Sequence, residues 1–196
     1  MALDFDQVYE AVCRWAKSRG ITVHHSQLKP NKAGEFDGNS ATMNTAYSVE
    51  ERTYYLAHAL GSMIRWSLSL PKIQQLFYEL RTAKKDKQID PERLERAIDE
   101  YRAFEVESSE FAVWLLAHLG HAVAIPYFTN FMRADLEALT QFHRLGRAPV
   151  WRDFFADWNQ QVAQGRRSVP PFSAKPIPAF GPKPIEIQEI LQEQPK

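Results

Sequence analysis

The sequence predicts an α+β protein, mostly helical, with a small three-stranded sheet near the N-terminus and a proline-rich C-terminal tail. Three observations carry this expectation. Apolar residues recur at helical spacing through most of the chain up to about residue 165. One short region, 21–44, instead holds β-branched residues and an Asp-Gly turn. From about Arg166 the composition changes, and seven of the twelve prolines lie between Val169 and Lys196. The implied organisation is one domain over 1–165 and an extended tail over 166–196.

Each element has a local reason. Asp4 is a suitable N-cap for a first helix to Ser18, and Gly20 stops it. Ile21-Thr22-Val23-His24 is a short β-branched strand. Gly34 to Asn44 predicts two short strands around Asp37-Gly38-Asn39, where glycine supplies the positive φ of a tight turn. Ser48-Val49-Glu50-Glu51 matches a capping box and opens a helix to about Ser69. Pro71 interrupts the pattern before a further helical segment to about Thr82. The run Lys84 to Lys87 reads as a solvated connection. Asp90-Pro91 starts a helix reaching about His118. Another helix follows Pro126 and ends near Gly146. A last one carries Trp151, Phe154, Phe155 and Trp158, which at that spacing are expected on the core. Prolines as dense as those of the tail exclude a long helix or central strand, leaving an extended segment with a short helical turn near Glu186 to Gln192.

The composition excludes several classes. Lys plus Arg (24) balances Asp plus Glu (24), so the formal net charge is zero. That argues against a dedicated nucleic-acid binder, which needs a basic surface to neutralise phosphates. The single cysteine, Cys13, can form neither an internal disulfide nor a cysteine zinc site, and its apolar neighbours Val8, Tyr9 and Val12 suggest a buried thiol. No apolar run is long enough to span a membrane. The acidic, amphipathic start is unlike a signal peptide, so the expected location is the cytoplasm.

The informative motif is Leu56-Ala57-His58-Ala59-Leu60-Gly61-Ser62. It resembles the zinc helix of ImmA/IrrE-type metallopeptidases, which carry Leu-Ala-His-Glu-Leu-Gly-His there. A second stretch, Glu107-Ser108-Ser109-Glu110-Phe111-Ala112 followed by Leu115-Leu116, is similar to the family's Glu-Ala-Asn-x-Phe-Ala pattern. The order of elements also matches from about Asp4 to Gly120. The resemblance implies a zincin-like fold. It places His58 as first metal ligand, Glu107 as third ligand, Ser62 where the second histidine belongs, and Ala59 where the general base belongs.

The chemistry of such a site sets the expectation. Two histidines four apart on a helix hold one Zn²⁺, and a glutamate after the first activates the bound water. Serine is a poor ligand and alanine moves no proton. The resemblance therefore implies a degenerate, vestigial site with no catalytic residues, and zinc is the only cofactor it brings into view. Glu107 shares a face with Phe111, Trp114, Leu115 and His118, so it needs a partner. His58 is the first candidate, as a brace preserving the old ligand geometry, and Arg65 is the second. His24 or His25 could approach His58. His118 and His121 form a His-x-x-His pair, but His118 lies about 16 Å along the helix from Glu107 at 1.5 Å per residue, too far to share its metal. Tyr54 and Tyr55 are expected to line a pocket or the core.

Three functions stay open on this reading. One is a non-catalytic, regulatory module that binds a protein partner or an extended peptide, with the strand near Thr42 as an open edge and the tail as a second docking segment. Another is a zinc peptidase with relocated ligands. The third is a structural scaffold that inherits only the fold.

Overall fold

The computed structural model describes residues 3–29, 32–85, 91–147 and 149–182. Among them are five α-helices, one short 3-10 turn and a three-stranded sheet, an α+β architecture that is mainly helical. The helices are α1 (Phe5–Ser18), α2 (Val49–Lys85), α3 (Pro91–His118), α4 (Ile125–Leu145) and α5 (Trp151–Ala163). The strands are β1 (Thr22–Ser26), β2 (Gly34–Phe36) and β3 (Ser40–Asn44).

Local chemistry explains most boundaries. The Asp4 carboxylate accepts from the backbone N–H groups of Asp6 and Gln7, at 3.1 and 3.3 Å. At α2 the Ser48 hydroxyl accepts from the Glu51 N–H, and the Glu51 carboxylate accepts from the Ser48 N–H, a reciprocal capping box. Asp37 accepts from the N–H groups of Asn39 and Ser40, and Gly38 takes a φ of 91° to turn the chain between β2 and β3. The helix expected to stop before Pro71 continues past it, with its break at Ser69 (φ −145°, ψ 37°). Pro71 then lies in the first turn of the outer segment, where a missing N–H costs little. The proposed cap Asp90 and the short helix near Glu186 lie outside the described residues.

One expectation changes. The strand near Thr42 is not an open edge. The sheet order is β1-β3-β2, so β3 is central, parallel to β1 and antiparallel to β2. Ala41 and Met43 of β3 are buried, so burial places this strand in the middle, while β1 is mostly exposed and lies at the edge. The tail, although extended and without regular secondary structure from 168 to 182, packs back on the helices. Arg133 of α4 donates to the carbonyls of Pro170 and Pro171 at 3.0 and 3.2 Å. Phe172 is 5% exposed beneath the Arg133 guanidinium. The Lys175 N–H donates to the Glu110 carbonyl, and Phe180 stacks on Trp15 of α1.

The long helices α2 and α3 pack along their length and divide the interior in two. The inner core joins α1, the sheet, α2, α3 and α4 through Val12, Leu56, Leu60, Phe111, Leu116 and Phe128. An outer core lies between the far halves of α2 and α3 and holds Trp66, Ile73, Ile98 and Phe104. Between the two cores the helix backbones nearly touch. A Cβ on Gly61 would stand 2.0 Å from the Ser108 carbonyl oxygen, so only glycine permits this approach. That contact holds His58, one turn earlier on α2, against α3.

Candidate functional site

His58 lies at this helix crossing and uses both ring nitrogens. Nε2 is 2.7 Å from Glu105 Oε2, and Nδ1 is 3.1 Å from Ser109 Oγ. A carboxylate only accepts, so Nε2 carries the proton; in the neutral ring Nδ1 then accepts from the Ser109 hydroxyl. Glu105 and Ser109 are four apart on α3, so they stand on one face and grip the imidazole from one side. The side chains of His58 and Glu105 are 12% and 11% exposed, so water screens this pair weakly.

The surroundings are polar and closed. Tyr101, one turn before Glu105, holds its hydroxyl against that carboxylate; burial, then the Glu105 charge, keeps the phenol far above its usual pKa. Asp135 of α4 completes the group. As a residue it keeps some solvent contact, but its carboxyl group is strongly desolvated, which raises its pKa to about 6. His58 opposes that rise, the Glu105 charge adds to it, and the Tyr55 hydroxyl, 3.4 Å from Asp135 Oδ1, opposes it.

Glu107 does not join His58. Its carboxylate meets Arg65 Nε at 2.6 Å and the Lys175 ammonium of the tail. Helical phase explains the difference. Residues 105 and 107 differ by about 200° around a helix of 3.6 residues per turn, so only one of them can face α2 at His58. The inward row of α3 reads Ala97, Tyr101, Glu105, Ser108, Ala112 and Leu115, and Glu105 falls in it. That row was available in the sequence; the motif match drew attention two residues downstream. Asp135 was missed for a similar reason. It follows Phe128, Phe131 and Met132 in the inward row of α4, where an acid among apolar positions is the signal.

The remaining candidates disperse. Ser62 is 4% exposed and donates to the His58 carbonyl, and Ala59 offers no proton-moving group. His25 pairs instead with the Tyr9 hydroxyl of α1, at 2.9 Å. His118 lies flat on Trp114. His121 precedes the 3-10 turn between α3 and α4. Tyr54 packs among Phe5, Phe128 and Phe131, as expected of a core residue. Cys13 is half-buried, and burial raises its thiol pKa, which suits an inert thiol.

The arrangement does not fit a zinc ion. His58 and Glu105 are bonded to each other, and the positions for a second histidine and a base hold Ser62 and Ala59. Among the described residues no three His, Cys, Asp or Glu side chains converge as ligands. The series Ser109–His58–Glu105 has the composition of a hydrolase relay, but Ser109 is 2% exposed and no substrate carbonyl reaches its hydroxyl. What this cluster can do is hold three helices at fixed spacing and share protons among buried groups.

One turn before His58, toward the N-terminus of α2, a cavity of about 580 Å³ opens, lined by Glu50, Tyr54, Tyr127, Asn130, Phe131 and Phe155 among others. Aromatic walls with a few polar groups suit a side chain from another molecule. No described helix is long and apolar enough to cross a membrane. No family model matches the chain, and no match was found among curated proteins or solved structures.

Proposed function

We propose that this chain is a degenerate ImmA/IrrE-type protein, non-catalytic, whose metal cleft has become a structural brace and which acts by binding a protein partner in a regulatory role. The observation that carries this reading is the engagement of both His58 nitrogens by Glu105 and Ser109. A metal at His58 would have to displace Ser109 or Glu105 from the ring nitrogen it binds. Losing the family's base and second histidine at Ala59 and Ser62 agrees with it. The partner side of the reading rests on the aromatic cavity one turn before His58 on α2.

Metal analysis of the purified chain after incubation with zinc and dialysis tests the first half. The expected result is no stoichiometric zinc; one equivalent per chain overturns it. A photo-crosslinking residue in place of the exposed Tyr127 tests the second half. It is expected to trap a protein partner in cells, while the same residue at the remote position of Arg96 traps none. Equal labelling from both positions removes the support for a partner at the cavity.

A further inference from the structure

A second polar corner lies where α1, β1 and α2 meet. Arg52, one turn into α2, places its guanidinium over the Tyr9 ring, 5.2 Å from the centroid. The Tyr9 hydroxyl is bound to His25 Nε2 of β1 at 2.9 Å. Among the described residues no carboxylate pairs with Arg52, and its Nε is buried without a hydrogen-bond partner. Buried guanidinium N–H groups are almost always satisfied, so an orphan of this kind asks for an acceptor.

The neighbours sharpen the requirement. His24 and His25 are exposed on β1, and Cys13 and Tyr9 face the corner from α1. Burial, then the positive field of Arg52, then that of His24, depresses the pKa of His25, so these groups lie close enough to repel one another as cations. The acid whose field reaches Cys13 is Glu10, and Arg14 already engages it at 3.3 Å. Among the described residues, the corner thus gathers positive charge and donors with no carboxylate ion-paired to Arg52.

We propose that Arg52, Tyr9 and His25 form a binding site for an oxyanion, a carboxylate or phosphate group, with the guanidinium as its main contact and the His25 ring as a second donor. The Arg fork suits either group. The site is independent of the partner reading above, since it lies on other residues and needs no protein to occupy it.

The test uses the full chain labelled with ¹⁵N. Inorganic phosphate and, in a separate arm, acetate are titrated at ionic strength held constant with sodium chloride, following the Arg52 Nε–H and the His25 ring. The expected result is a saturable shift of both signals by at least one of the two anions, with the His25 titration midpoint moving up when the anion is bound. The arm that saturates at lower concentration names the group. Arg52→Gln is expected to weaken binding at least about tenfold, the worth of a charge-assisted contact. His25 is exposed, so His25→Gln should leave the fold intact while weakening binding several-fold. Shifts that chloride reproduces, or that survive unchanged in both variants, overturn the proposal.

Discussion

Helix α2 carries two basic side chains into the protein within two turns, and their surroundings differ completely. His58 is bonded at both nitrogens, by Glu105 and Ser109, with Asp135 close behind. Arg52 lies over a ring, and its buried Nε has no partner among the described residues. The comparison separates two uses of a polar group in an interior. A satisfied group fixes the position of the elements that hold it, and removing one member exposes the desolvation of the rest. An unsatisfied one adds little to stability and keeps its hydrogen-bonding capacity for something else.

The sharpest way to break the satisfied side is to push the helices apart. Gly61→Ala places a methyl against the Ser108 carbonyl, and the contact is backbone, which cannot swing away. We expect a loss on the order of 4 kcal/mol or failure to fold, read by chemical denaturation. His58→Ala should come next. It leaves the Glu105 carboxylate buried beside Tyr101 with its charge unpaired, a cost of about 3 kcal/mol. Replacing both members, as His58→Leu with Glu105→Met, is expected to recover most of that loss, because the penalty belongs to the orphan and not to the pair.

Asp135 tests whether the brace carries strain of its own. Its pKa rises from 3.8 to about 6 on folding. The native state therefore keeps a proton that the unfolded chain gives up, and stability falls as pH climbs through that window. Asp135→Asn cannot ionise, so it should stabilise the protein by about 3 kcal/mol above pH 6 and leave it unchanged below the unfolded pKa. Thermal melts at the two ends of the range check the sign. The smallest effect is expected at the unsatisfied corner. Arg52→Gln removes a cation–π contact and no ion pair, so its cost should stay under about 1 kcal/mol. A loss as large as that of His58→Ala would mean that Arg52 is structural, and the contrast between the two residues would fail.

Much of this was legible before any coordinates. The caps at Asp4 and Ser48 and the turn at Asp37-Gly38 depend on groups two or three residues apart, and they form where local chemistry places them. His58 was recognisable as the centre of a site. Its partner was not, because a motif compares types at positions and says nothing of helical phase. Two carboxylates stood near the right place, and the α2–α3 crossing at Gly61 selected Glu105 and left Glu107 to Arg65 and the tail.

The sequence by itself determined the helices, the strand segments, the turns and the inward rows, since these follow from propensity, capping and periodicity along a continuous chain. Only the tertiary structure decided which strand is central, which acid meets His58, where Asp135 arrives and where the proline-rich segment lies. Those outcomes depend on how separate elements approach in space. There burial rewards the apolar faces, and each buried polar group must accept whichever partner the packing brings within reach.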